Sequence, residues 1–337
     1  MVHLRIVVPS DQAVQVLDLL DRTPSVSNLI YLEQAARRPP GDVVLCDVAR
    51  EDASMIVSDL RDLRVDARGS ISLEEIDSQV SAAGSVAERA APGLPSDAVV
   101  WEEVEAQTSE STELSVSFLA FMSLACMIAT VAILLDSPIL IIGAMVVGPE
   151  FGPIAAFCVG IVNGQAGLAK RSLLALAVGF PVGIAAAFVL TLIVDGVDLV
   201  PDSYSAADHP FLRFIARPDS FSILVAALAG SAGVLSLTAK KSSALMGVLI
   251  SVATIPAAAN VGVAAALADW STWRGALLQL AANLGGLVVA GSATLAVQRL
   301  VYLRRRARRR DRGSPPGMPE GEGPIASPSR HRPPGIR

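Results

Sequence analysis

Ser137 to Gly164 reads SPILIIGAMVVGPEFGPIAAFCVGIVNG, and Ser242 to Asp269 reads SSALMGVLISVATIPAAANVGVAAALAD. Both stretches are apolar enough and long enough to cross a bilayer, whose hydrocarbon core takes about 20 helical residues. Proline falls near the middle of each, at Pro149 and Pro153 in the first and at Pro256 in the second. A proline removes an amide donor and crowds the carbonyl one turn back. Backbone freed in this way cannot face lipid, because an unpaired amide or carbonyl there costs several kcal/mol, so such interruptions survive only against protein or a watery cavity. The two segments therefore predict a site inside a membrane domain.

Composition fixes the same class. The chain has 337 residues, 52% hydrophobic and only 18% charged, with a mean hydropathy of +0.52, which excludes an ordinary soluble protein. The opening MVHLRIVVPSDQ has no basic region leading into a long apolar run and no small-residue cleavage site, so no secretory signal is expected and the first span directs insertion. Cys46, Cys126 and Cys158 are scattered, and His3, His209 and His331 are dispersed. Neither pattern predicts a disulfide framework, a metal site or a cofactor. No Ser/His, Cys/His or paired-carboxylate arrangement and no phosphate-binding glycine loop appears, so no catalytic residues are assigned and an enzyme is not expected.

Residues 1–78 read as a small α+β domain. Leu4–Val8 is a strand, Asp11–Asp21 a helix with Val14, Leu17 and Leu20 on one face, and Val26–Leu32 and Val43–Val48 are the middle strands. Ile56, Leu60 and Leu63 mark a second helix, and Ile71, Leu73 and Ile76 the last strand. The order βαββαβ is the ferredoxin-like plan. Residues 79–113 then read as a linker, with Pro92 and Pro95, followed by an exposed acidic helix around Trp101.

Six apolar stretches follow within the 114–301 membrane domain: Leu114–Leu135, Pro138–Asn163, Ser172–Val194, Phe221–Leu237, Ser243–Ala268 and Ala276–Val301. With six spans, Lys170, Arg171, Lys240, Lys241 and the Arg304–Arg310 cluster fall on one side, against Arg213, Arg217 and Arg274 on the other. Short-loop Lys and Arg mark the cytoplasmic face. Both termini are thus predicted cytoplasmic, in a multi-pass protein of the plasma membrane. Residues 302–337 form a basic tail, rich in Pro, Gly and Ser beyond Arg312, that is expected to be disordered. Its arginines are read as a topology anchor beside anionic lipid, and no nucleic-acid partner is expected.

Pro153 and Arg171 are separated by the same interval as Pro256 and Arg274, and Gly183 and Gly286 keep that register. Three spans per half, each with a proline-broken second helix, predict two repeats of inverted topology, whose sites lie near the midplane where broken helices meet. Glu150 is the one carboxylate at the centre of a predicted span, and burying its charge there costs at least about 2.5 kcal/mol. It is read either as a proton- or cation-binding group or as a carboxyl satisfied by neighbouring backbone or a subunit contact. The helix start after Pro153 favours either Glu150 itself or an anionic solute. The candidate substrate or ion site is Gly148, Pro149, Glu150, Gly152, Pro153, Thr254, Pro256 and Asn260, and Glu150 and the Pro256 break are expected to approach one polar cavity. Asn163 and Asn283 are secondary candidates, with interhelical hydrogen bonding as the plainer reading. Trp270, Trp273 and Tyr302 are read as interfacial anchors.

IIGAMVVGPEFGPI at Ile141–Ile154, LAGSAGVLSLT at Leu228–Thr238 and GVLISVATIPAAANVGVAAAL at Gly247–Leu267 together resemble the prokaryotic uncharacterised hydrophobic-domain membrane proteins, the domain-of-unknown-function family numbered 389. The resemblance covers roughly Leu114–Gln298. It implies a membrane domain and no established activity. The chain departs from the family's usual pattern at Glu150, where an apolar residue is frequent, and at Ala257, where a second proline is frequent.

Two functions remain open on the sequence. One is a transporter or channel for a small solute or ion. The other is a membrane-embedded scaffold or sensor, regulated by a ligand of the ferredoxin-like domain. Both place the chain in the lipid bilayer, as a homo-oligomer.

Overall fold

The computed structural model describes residues 1–76, 78–91, 93, 98–199, 220–238 and 243–313, the stretches 243–253 and 308–313 by backbone alone. Pro92, Pro95, Asp97, His209, Arg213, Arg217, Lys240, Lys241, His331 and the tail from 314 lie outside the described residues, as do the side chains of Arg308, Arg309 and Arg310.

In the first strand, β1 (Val2–Val8), alternate residues Val2, Leu4, Ile6 and Val8 are fully buried, as a strand with one covered face requires. There follow α1 (Ala13–Asp21), β2 (Val26–Arg37), β3 (Pro40–Val48), α2 (Arg50–Asp62), the short α3 (Val65–Arg68) and β4 (Ser70–Glu75). The strands make an antiparallel sheet in the order β2-β3-β1-β4. Val16 and Leu20 of α1 and Ile56 and Leu60 of α2 pack with those β1 residues and with Val44, Cys46 and Val48 of β3. Burial pushes the Cys46 thiol up to about 12, so it sits in this core as an inert thiol.

Strand β2 runs past its expected end at Leu32 to Arg37, with register irregularities between Ser27 and Ile30 and between Leu32 and Ala36. It is an edge strand and its far part is exposed, so no buried face imposes the alternation that pattern reading needs. Asp42 ties this hairpin together. Its carboxylate accepts from the Gln34 amide at 2.9 Å, the Tyr31 hydroxyl at 2.8 Å and the Ser10 hydroxyl at 2.8 Å.

After α4 (Ala82–Ala90) comes α5 (Trp101–Glu110). The expected exposed helix is packed instead: Val100 is fully buried in the sheet domain's core, and Trp101, Val104 and Thr108 are buried on one face of α5. The i, i+3, i+7 spacing of that stripe anchors a helix whose other faces are acidic.

The remaining helices are α6 (Val116–Leu134), α7 (Pro138–Val147), α8 (Phe151–Asn163), α9 (Ala166–Gly196), α10 (Ser220–Thr238), α11 (Ser243–Ala266) and α12 (Trp270–Gly313). Among the described residues, α6, α9, α10 and α12 are long and apolar enough to cross a membrane, and α7 with α8 makes a fifth candidate if counted as one bent span. The chain is therefore a membrane protein. Met1–Gln298 forms one compact unit, and the chain from Arg299 onward forms a second.

Only the first of the two expected proline breaks is present. Helix α11 runs without interruption through Pro256, and α9 runs through Pro181, whereas α7 and α8 meet at 55° across Gly148–Glu150. The difference is local. Proline disfavours helical geometry in the residue before it, and glycine, a poor helix former, yields: Gly148 is extended at φ −61°, ψ 125°. Pro149 and Pro153 would also cost a continuous helix two donors within about one turn, and a new helix starts at Phe151 instead. Pro153 itself lies in the first turn of α8, where its missing amide has no intrahelical acceptor to lose. Pro256 has Ile255 before it and three alanines after it, all buried against neighbouring helices, and the packed surroundings hold the helix straight through the lost bond.

Two outcomes test these packing arguments. A Cβ placed on Gly230 of α10 would stand 2.5 Å from the Leu287 carbonyl oxygen and 2.9 Å from its Cα; backbone cannot rotate away, so Gly230→Ala is expected to cost about 1–3 kcal/mol in thermal unfolding of the detergent-solubilised protein. The hydrogen bond from the Gln34 amide, followed by those from Tyr31 and Ser10, holds the Asp42 carboxyl below its usual range. A depressed carboxyl stabilises the fold above its unfolded value of about 3.9 and loses that contribution as pH falls through the folded value. Hydrogen exchange of the β2–β3 hairpin, corrected for intrinsic rates, should therefore rise on acidification, and Asp42→Asn should flatten that rise.

Candidate functional site

The break between α7 and α8 leaves helix ends inside an apolar bundle, and Glu150 occupies the first of them, at the N-cap position of α8. Its side chain is 0% exposed, as is that of Thr254 on α11. The Thr254 hydroxyl Oγ1 donates to Glu150 Oε1 at 2.8 Å, joining residues 104 positions apart. Thr254 stands two residues before Pro256, so the interrupted segment and the proline turn of α11 do meet. A carboxylate taken out of water needs such donors, because an uncompensated buried charge is far more costly than an unpaired neutral group.

Asn260 lies farther along α11 and is also 0% exposed. Among the described residues, neither its amide nitrogen nor its oxygen has a hydrogen-bond partner. Six residues of α-helix separate it from Thr254, which places the two on different faces. Gly148, Pro149 and Gly152 line a cavity of about 590 Å³, together with Phe151 and Ala155 of α8, with Glu110 at the end of α5 and with Ser111 and Glu113 beyond it. Glu150 is sealed from that space. The expected approach of Glu150 to the Pro256 turn is present, and among the described residues neither of them lines this cavity.

The secondary candidates sit elsewhere. Asn163, at the far end of α8, donates through Nδ2 to Glu105 Oε1 of α5 at 3.0 Å, and Gln165 Nε2 donates to the same oxygen at 2.7 Å. Asn283 is buried on α12 and accepts from Gln279 Nε2 at 3.2 Å. Asn163 thus has the interhelical hydrogen bond that was its plainer reading, whereas the bond between Gln279 and Asn283 lies within α12. Glu105, Gln165 and Gln279 escaped the sequence reading. Glu105 is one of several carboxylates on an acidic helix, and nothing local marks it; the polar pair Gln279 and Asn283, spaced one turn apart in an apolar run, was a signal available to inspection. Among the described residues no group of three or more His, Cys, Asp or Glu side chains is placed to hold a metal ion.

Comparison with known proteins fits this picture. Residues 145–289 match the family model described as "Domain of unknown function (DUF389)". Over those residues the chain is similar to that domain family. That domain begins within α7 and ends within α12, so it contains the break, Glu150, Thr254, Pro256 and Asn260, while α5, α6 and the sheet domain precede it. An uncharacterized protein of Methanocaldococcus jannaschii is 28% identical over 165 residues, covering 49% of this chain and 49% of that protein. The chain thus spans about half the length of this curated relative. No solved structure matches.

The Glu150–Thr254 bond is open to a direct test. Thr254→Val keeps the shape and removes the donor, and is expected to destabilise the protein by about 1.5–3 kcal/mol, the range for hydrogen bonds to charged groups. Glu150→Gln in the same background should absorb much of that loss, so the two changes should be non-additive in a double-mutant cycle of thermal unfolding.

Proposed function

We propose that the chain is a transporter or channel for a small solute or ion, with its site at the α7–α8 break and the facing turn of α11. The observation that carries the reading is the buried Glu150–Thr254 bond at an interrupted span, beside a cavity that reaches the same interruption. A carboxylate in the middle of a membrane bundle is expensive, and its commonest use is on a substrate or ion path. Asn260, with both amide groups unpartnered among the described residues, adds a second polar group whose cost is offset when a solute or water reaches it.

The proposal extends to architecture. Six spans, α6 to α12 with α7 and α8 counted together, form two inverted three-span repeats. Shifting the chain by the interval from Pro153 to Pro256 carries α6 onto α10, the end of α8 onto the end of α11 and the start of α9 onto that of α12, each to within about a residue. Gly183 packs against Met122 and Cys126 of α6, and Gly286 packs against Ala226 of α10, so the third helix of each set meets the first in the same way. The soluble domain takes the ferredoxin-like plan, for which its element order and β2-β3-β1-β4 strand order speak. The orientation is that of a plasma-membrane protein with cytoplasmic termini, assembled from identical copies. The reading is one of transport and not of catalysis. A sensing role gains weight from Glu105, which ties the helix next to the soluble domain to the end of α8, and it joins the transport reading as control by that domain.

Purified protein in liposomes is expected to move at least one member of a panel of small ions and neutral solutes, with Glu150→Gln changing the pH dependence of that flux. Flux that is identical in the variant removes the ionic role of Glu150, and no flux across the whole panel sinks the transport reading.

A further inference from the structure

We infer that α5 is a brace through which the soluble domain sets the position of the broken span, and hence the wall of the cavity at the break. The movement itself stands on contacts alone; only its consequence for flux rests on the transport reading above.

One side of α5 belongs to the sheet domain. The Arg50 guanidinium, only 8% exposed, pairs with Glu103 at 2.9 Å and with Glu75 of β4 at 2.7 Å. The Ser54 hydroxyl donates to Glu102 at 2.6 Å and accepts from the Trp101 amide at 2.9 Å. The other side of α5 touches α8 at both ends. Glu105 accepts from Asn163 and Gln165 where α8 turns into α9. At the opposite end Ser111 abuts Gly152, two residues from Glu150, so closely that a Cβ on Gly152 would stand 2.5 Å from the Ser111 Cβ. Between those contacts the end of α5 supplies Gln107, Thr108, Glu110 and Ser111 to the cavity wall facing Gly148 and Pro149.

The joint is polar, not a dry seal. A space of about 480 Å³ lies beside it, lined by Arg61 of α2, Glu102 and Glu105 of α5, and Gln165 and Arg171 at the start of α9. Contacts between domains that rest on a few charged hydrogen bonds, with solvent room beside them, are those that shift when one domain changes state. Glu105 is the single oxygen acceptor for two amides from the α8–α9 turn. Releasing it frees α8 from α5 at that end, so the cavity wall that the two helices share loosens and opens.

The test uses the full chain in liposomes and a cysteine introduced by Ala155→Cys, at a cavity-lining position only 2% exposed. The three native cysteines are buried. Labelling by a polar maleimide should accelerate about tenfold with Glu105→Ala, the effect of losing a charge-assisted hydrogen bond, and less with Glu105→Gln, which keeps an acceptor. Arg50→Ala, which releases α5 from the sheet domain and leaves Glu105 in place, should accelerate it as well. Equal rates in the parent, Glu105→Ala and Arg50→Ala overturn the brace. If Glu105→Ala does not fold, Gly152→Ala and Gly152→Ala with Ser111→Gly decide the same question: acceleration in the first and recovery in the second support the brace, and equal rates in both overturn it. Labelling needs no solute, so a protein that shows the brace and moves nothing sinks the transport reading alone.

Discussion

A polypeptide surrounded by hydrocarbon has no solvent to complete its hydrogen bonds, and at Gly148–Glu150 this chain stops completing them internally. Everything around that point is arranged to enclose the interruption. Helix α11 supplies Thr254 to the one carboxylate there, small residues on α9 and α10 let their neighbours approach closely, and α5 covers the first turn of α8 from outside the bundle. The bend is a consequence of a glycine preceding a proline, and the packing is what makes that bend tolerable.

The contrast between Pro149 and Pro256 shows why proline alone is a poor guide to broken helices. Both remove a donor. Only where glycine yields at the preceding position, and a second proline follows within a turn, does the α-helix end. Where isoleucine precedes and alanines follow in a packed surrounding, it continues. The meeting of the two regions survives this difference, because it depends on where the helices cross and not on whether both are cut.

Much of the fold was legible in local patterns. The run Leu4–Val8 marked most of β1, which starts two residues earlier at Val2, and the apolar runs marked helices of the bundle, since both signals come from one buried face or from a wholly apolar environment. What could not be read was whatever depends on partners distant in sequence. Trp101 looked exposed among glutamates because its partner Ser54 lies 47 positions earlier. The extension of β2 carried no signal because its far end covers nothing. Of the candidate site, Glu150 and Thr254 could be named from span position and from the proline segment, but their direct bond could not; Asn163 was set aside for interhelical contact, and its actual partner, Glu105, lies in a helix read as a connector.

The long sequence separation between Glu150 and Thr254 bears on how the protein is made. A ribosome delivers α7 and α8 to the membrane well before α11 exists, so the nascent chain must carry its acidic group without the hydroxyl that later caps it. The Thr254 donor reaches that acid only when α11 docks, so this part of the buried polar pairing is among the last contacts the chain can complete.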